Sequence, residues 1–204
     1  RGNLGEFPPP QVLLKSWDIR EKIRETKTGS LILFVVDASG SMGAQRRMVA
    51  VKGAILSLLL DAYQRRDRVG LISFRGTSAE VILPPTSSVD LAEQHLQEMP
   101  TGGRTPLSRG LYLALDVIET EKMKNREVLP LIVLLSDGRA NVAMGSATSD
   151  GRPGSRPLDE AKAVAALVQQ QHIPAAVVDT EVDFIRLGLA QPIAEAMGAH
   201  YLKL

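Results

Sequence analysis

Four continuous runs of apolar, largely β-branched residues mark the chain: Leu31–Val36, Val69–Phe74, Leu131–Leu135 and Ala175–Val178. None of them alternates with polar positions. Each therefore predicts a strand buried on both faces, the pattern of a parallel sheet covered by helices. Between the runs, apolar positions recur at helical spacing. The longest such stretch extends from about Ala44 to Arg65, with Met48, Val51, Ile55, Leu58 and Leu59 on one face. Further helices are predicted over Val89–Met99, Pro106–Glu121, Leu158–Gln171 and Leu187–Met197. Ile19 and Ile23, set among charged neighbours, predict a short amphipathic helix over 16–28 that ends near Gly29. Val81–Leu83 follows Phe74 too closely for a crossover, so the two form a hairpin and one antiparallel strand lies at an edge. Ala199–Leu204 supplies a last strand. The alternation predicts an α/β fold: an open, doubly wound, mostly parallel six-stranded sheet with one antiparallel edge strand and helices on both faces.

Around this core the organisation is simple. Residues 1–15 carry Pro8-Pro9-Pro10 and predict a linker or extended arm, leaving 16–204 as one domain. Asn141–Pro157 is rich in Gly, Ser and Pro and directly follows a strand; a loop that long is usually functional or mobile. The 204 residues are enough for a sizeable core, and 44% hydrophobic with 23% charged residues excludes disorder. A net charge of +1 gives no bulk argument for nucleic acid. The absence of cysteine removes thiol nucleophiles, Cys-type zinc sites and disulfides, and favours a reducing compartment. No apolar run approaches a membrane span, and with no basic region followed by an apolar stretch at its start no signal peptide is expected. A start at Arg1 rather than Met points to a piece of something longer.

Ligands of a doubly wound sheet bind at the carboxyl ends of its strands, where strand order reverses. The first run ends in Asp37-Ala38-Ser39-Gly40-Ser41, and the third in Ser136-Asp137-Gly138. If these strands are neighbours, two carboxylates and at least two hydroxyls converge on one crevice. An all-oxygen donor set suits a hard cation, and Mg²⁺ best. Taken singly, each residue has a plainer role: Asp37 as a helix cap, Asp137 as a turn residue, Thr105 before Pro106 as an ordinary helix start. The ensemble, with Gly102-Gly103-Arg104-Thr105 between them, argues for the site. Nucleophilic catalysis is disfavoured, because Ser39-Gly40-Ser41-Met42-Gly43 lacks the first glycine of the G-x-S-x-G elbow and no histidine holds a triad position. No phosphate-binding glycine loop follows the first strand, so no nucleotide site is expected on this piece. No catalytic residue is assigned. Arg75, Arg104, Arg109 and Arg139 should line the same end of the sheet, with Arg152 and Arg156 in the loop beyond. Such a basic rim would steer an acidic protein surface toward the ion.

Asp37-Ala38-Ser39-Gly40-Ser41, with Thr105 and Asp137 following at 105 − 37 = 68 and 137 − 37 = 100 residues, resembles the metal-ion-dependent adhesion site of von Willebrand factor A (integrin I) domains. The resemblance implies that Asp37, Ser39, Ser41, Thr105 and Asp137 hold a divalent ion, Mg²⁺ or in its place Mn²⁺, and that a partner's Glu or Asp completes its shell. Further segments are similar to the magnesium chelatase D subunit: Asp18-Ile19-Arg20-Glu21-Lys22, Phe74-Arg75-Gly76, Ala79-Glu80-Val81-Ile82-Leu83-Pro84-Pro85, Gly138-Arg139-Ala140-Asn141 and Val178-Asp179-Thr180-Glu181. That likeness implies a non-catalytic interaction domain linking an AAA+ motor, shared with an I subunit, to the large catalytic subunit that inserts Mg²⁺ into protoporphyrin IX. It also implies a cytoplasmic or plastid-stromal setting, and a final helix beyond the last strand that would be missing after Leu204. The related cobaltochelatase subunit and an adhesion or scaffold module of the same fold are the alternatives.

Overall fold

The first apolar run forms β1 (Ser30–Asp37), an interior strand of a six-stranded sheet in a computed structural model of the chain. Residues 29–39, 67–88, 102–144, 156–181 and 188–203 are described, with isolated positions between 49 and 60 and between 90 and 95. In chain order the remaining elements are β2 (Arg68–Arg75), β3 (Ser78–Thr86), α1 (Leu107–Lys124), β4 (Leu129–Ser136), α2 (Pro157–Gln170), β5 (Ala175–Asp179), α3 (Ala190–Met197) and β6 (His200–Lys203). The strands lie in the order β3-β2-β1-β4-β5-β6. Every neighbouring pair is parallel except β2–β3, which is antiparallel across the turn Gly76-Thr77. The sheet is the one expected from the alternation of apolar runs and helical patterns, with its antiparallel strand at an edge.

Side chains of β1 divide between the two faces with the period of two that a pleated strand imposes. Leu31, Leu33 and Val35 join Ile72, Phe74 and the inward residues of α1, α2 and α3 in one core. Phe34, Val36 and Ala38 join Val69, Leu71 and Leu83 in a second core on the other face, against which Leu56 packs. Burying one such leucine contributes about 2 kcal/mol, so two-sided burial of the central strands is the main force holding this sheet. Val49, Lys52, Gly53, Leu56, Ser57 and Leu60 are helical, within the stretch expected from Ala44 to Arg65. Asp90, Leu91, Gln94 and His95 are helical within Val89–Met99. The expected arm over 1–15, the helix over 16–28 and the Met48-to-Leu59 apolar face lie outside the described residues. No helix among the described residues is long and apolar enough to cross a membrane.

Element ends differ from the sequence reading for local reasons. The strand expected over Val81–Leu83 extends from Ser78 to Thr86 and takes in Pro84 and Pro85. An edge strand tolerates this, because an N–H facing away from the ladder is dispensable. Pro130 near the start of β4 precedes the ladder to β5, which begins at Ile132. Helix α3 begins at Ala190 rather than Leu187. Ahead of it Gly188 takes a left-handed φ of 61° and donates its N–H to Glu181 Oε2 at 3.0 Å. Helix α1 runs to Lys124, three residues past the expected end at Glu121.

The extra turn of α1 is tied down by ions. Glu121, 4% exposed, accepts hydrogen bonds from Arg68 and, at 2.7 Å, from Lys124 Nζ. Burial alone would raise the Glu121 carboxyl, but the bonds from Lys124 and Arg68 outweigh it and hold the group below its ordinary value. A carboxylate held below its unfolded value stabilises the fold above that value and loses the contribution as pH falls through the folded one. Glu121→Gln is therefore expected to destabilise the domain by about 1–3 kcal/mol at neutral pH. The difference from the parent should shrink on acidification below the ordinary glutamate range. Urea unfolding at neutral and acid pH measures both; an equal loss at both would exclude an ionic contribution.

Candidate metal centre

β1 and β4 are parallel neighbours, with Val36 opposite Leu135, so their carboxyl ends adjoin at the point where strand order reverses. Asp37 closes β1. Its Oδ1 accepts the Ser39 N–H at 2.9 Å, and its Oδ2 accepts the Ser136 hydroxyl at 3.0 Å. The chain then turns into the cleft, with Ala38 N–H donating to Phe74 O at 3.1 Å and Gly102 N–H to Ala38 O at 2.7 Å. The first ties the end of β1 to β2, and the second brings the segment before α1 against the end of β1. As a result the buried hydroxyls of Ser39 and Thr105 meet at 2.7 Å, 66 residues apart in sequence. Thr105 makes no cap for α1, whose start has no side-chain cap hydrogen bond. Its hydroxyl belongs to the cleft.

Asp137 follows β4 and is partly exposed. Its Oδ1 accepts the Arg139 N–H at 3.0 Å, and its Oδ2 lies 3.5 Å from Arg139 Nε. The turn role expected for such an aspartate is thus fulfilled, and the same carboxylate is close enough to act on Asp37. Asp37 is raised from 3.8 to about 6. Burial is the main cause; hydrogen bonds from Ser39 oppose it, the Asp137 charge adds to it, and the Ser136 bond again opposes it. Two carboxylates, one of them destabilised in its charged form, lie beside three hydroxyls, and among the described residues no third acid or histidine joins them. That chemistry fits a hard divalent cation, which would relieve the burial and the repulsion together. Four of the five expected ligands, Asp37, Ser39, Thr105 and Asp137, are placed at this one end of the sheet; Ser41 lies outside the described residues.

The arginines differ in their surroundings. Arg75 ends β2 and is half-buried, and Arg104 is exposed in the loop before Thr105. Arg139 is exposed and paired with Asp137. Arg109 is half-buried, with Nη2 donating to Met144 O at 3.0 Å. Arg152 lies outside the described residues, and Arg156 precedes α2 at an exposed position.

Two supporting residues were not among the candidates. Ser136 is fully buried, bonds Asp37, and accepts the Gly138 N–H at 3.1 Å, orienting both strand ends at once. Asn141 clamps Thr105: its Oδ1 accepts the Thr105 N–H at 2.7 Å, and its own N–H donates to Thr105 O at 3.2 Å. Serine at the last position of an apolar strand was the available signal for the first. Nothing local signalled the second, because its partner lies 36 residues away.

Comparison with known proteins bears on the family and the fold. The chain is 46% identical over 193 residues to the uncharacterized protein Rv2850c of Mycobacterium tuberculosis, covering 94% of this chain and 29% of that protein. It is 40% identical over 190 residues to the magnesium-chelatase 67 kDa subunit of Chlorobaculum tepidum, covering 92% of this chain and 30% of that one. The chain thus spans about three tenths of the length of these relatives. Among solved structures, BatB from Bacteroides thetaiotaomicron superposes with a TM-score of 0.59 at 21% identity, over 86% of this chain and 90% of that one, a likeness of fold. The profile of the von Willebrand factor type A domain matches residues 32–139, more than half of the chain and a span that begins in β1 and closes just beyond Asp137. With that match joined to the six-stranded sheet and the cleft at β1 and β4, the chain belongs to the von Willebrand factor type A domain family.

Proposed function

We propose that this chain is a non-catalytic, metal-dependent protein-interaction domain of the D subunit of an ATP-dependent magnesium chelatase. In this reading Asp37, Ser39, Ser41, Thr105 and Asp137 hold Mg²⁺, with Mn²⁺ as a substitute. When bound, the ion would supply a hard Lewis-acidic site for a Glu or Asp of the partner. The protein's own side chains do the rest: Ser136 and Asn141 fix the ligands' orientation, and the exposed Arg104 and Arg139 favour the approach of an acidic surface. The partners are the large catalytic subunit and the AAA+ I subunit. The domain couples motor to catalyst and performs no step of metal insertion itself.

The observation that carries the metal site is the meeting of the Ser39 and Thr105 hydroxyls beside Asp37, two segments 66 residues apart in sequence brought to one point. The chelatase assignment is supported by relatives bearing that name at 37–40% identity over more than nine tenths of this chain. A second reading is the corresponding subunit of a cobaltochelatase, or an interaction module of another complex. Pull-down of candidate chelatase large subunits by this chain, with and without Mg²⁺, separates them. Mg²⁺-dependent capture of the magnesium enzyme's subunit, lost in Asp37→Ala, is expected. Capture of the cobalt enzyme's subunit alone would move the assignment, and capture indifferent to Mg²⁺ would remove the metal from the interaction. Arg104→Glu is expected to slow association and to flatten its salt dependence while leaving metal binding intact, as stopped-flow mixing at two ionic strengths would show.

A further inference from the structure

Beside the metal cleft a groove of about 260 Å³ runs between the start of β3 and one face of α1. Ser78 and Ala79 form one wall, Arg109, Tyr112 and Asp116 the other, and Met144 closes the end near the cleft. Three features give it a definite chemistry. The first is an open strand edge. Among the described residues β3 pairs only with β2. Arg75 and Ser78 flank a two-residue turn, so they form the hydrogen-bonded pair; the ladder then leaves the N–H and C=O of Ala79 and Val81 on the free edge. Such an edge accepts an extended backbone.

The second feature is a polarity along the groove. Arg109 and Asp116 lie seven residues apart on α1, about 10 Å along its axis. The cationic end adjoins the metal cleft, since Arg109 holds Met144 O and the same strap clamps Thr105 through Asn141. The anionic end, Asp116, is exposed and points the opposite preference at a ligand. The third is an apolar middle, where Tyr112 stands 57% exposed on the helix face opposite Ala79.

We infer that this groove binds an extended segment of a protein partner, added as a strand to the β3 edge, with an acidic side chain toward the metal cleft, an apolar side chain at Tyr112, and a basic side chain at Asp116. Side chains on one face of an extended strand recur every second residue, about 6.6 Å, so the acidic, apolar and basic side chains that face the groove fall at positions i, i+2 and i+4. The backbone bonds supply affinity and the side-chain order supplies specificity. This inference rests on the proposed metal site only for the anchoring of the acidic end.

The experiment is panning of a displayed random-peptide library against the chain in MgCl₂, in the parent and in Asp116→Lys. The parent should enrich peptides with the acidic–apolar–basic order at that spacing. Asp116→Lys should exchange the basic preference at the distal position for an acidic one. Tyr112→Ala should weaken the best synthetic peptide about tenfold or more, as loss of a central aromatic contact does. N-methylation of that peptide should abolish binding at alternate amides and spare those between. Both protein variants are at exposed positions, so thermal unfolding should match the parent. Failure to enrich any consensus, or peptides indifferent to Asp116→Lys and Tyr112→Ala, overturns the groove. Peptides that respond to chelator and to Asp37→Asn but not to the groove variants leave the metal reading standing without it. Peptides that respond only to the groove variants do the reverse.

Discussion

Asp37→Asn is expected to make the metal-free domain more stable at neutral pH while abolishing its response to Mg²⁺. The amide keeps an acceptor for the Ser39 N–H and offers a donor to Ser136 Oγ, so the bonds at 2.9 and 3.0 Å have replacements. What disappears is the charge. The carboxyl is raised from 3.8 to about 6, and each unit is worth about 1.36 kcal/mol between the two protonation states. The sign follows from linkage: a group raised in the folded state costs nothing below its unfolded value, and its penalty grows as pH rises from about 4 to about 6. Above that window the cost is full, about 3 kcal/mol. The variant should therefore melt several degrees higher than the parent at neutral pH in chelator, and at nearly the same temperature near pH 4. Mg²⁺ should raise the parent's melting temperature, more at neutral than at acid pH because a proton competes for the ligand, and leave the variant unmoved. Calorimetry across pH with and without MgCl₂ reads all of this. A parent whose stability relative to the variant is flat between pH 4 and 7 would show that Asp37 is solvated and carries no stored repulsion.

The fold was legible because its information is local. Continuous apolar runs such as Leu31–Val36 can be satisfied only by burial on both faces, and this burial forces helices onto both sides of the sheet. Candidate ligands were legible for a related reason: strand ends at a switch point are where a doubly wound sheet exposes polar side chains to one another. The hydroxyl of Thr105 had a competing local role as a helix start, and only the long-range bond from Gly102 to Ala38 decides for the cleft. Residues that support the site through such bonds were less visible. Asn141 acts on a backbone 36 residues away, and Arg109 is held by Met144 rather than standing at an open rim. Neither pairing has a signature in spacing or hydropathy. Element ends were displaced where a single backbone conformation intervened, as at Gly188 before α3.

Gly138→Ala is expected to cost far more than a glycine substitution in a loop usually does, and to weaken the metal site as well. Gly138 has φ 75°, a conformation that costs an alanine about 1 kcal/mol. The larger cost is contact. A Cβ there would lie 2.1 Å from Ala190 N and 2.2 Å from Leu189 C, both backbone atoms that no rotamer change can move. Either α3 must withdraw, uncovering Ala190, Ile193, Ala194 and Met197, or the strap after β4 must shift and carry Asp137 with it. Gly76 separates the two contributions. It has φ 62°, and a Cβ there would meet nothing within 4 Å. Gly76→Ala should therefore show the conformational cost alone, about 1 kcal/mol, with Mg²⁺ affinity unchanged. Gly138→Ala should exceed it by at least about 2 kcal/mol, in the range of overpacked core substitutions. Denaturant unfolding of the two variants measures the difference, and Mg²⁺ titration reports whether the displacement reaches Asp137. Equal losses in the two variants would mean that α3 does not rest on the loop that carries Asp137, and that the metal cleft is built independently of that helix.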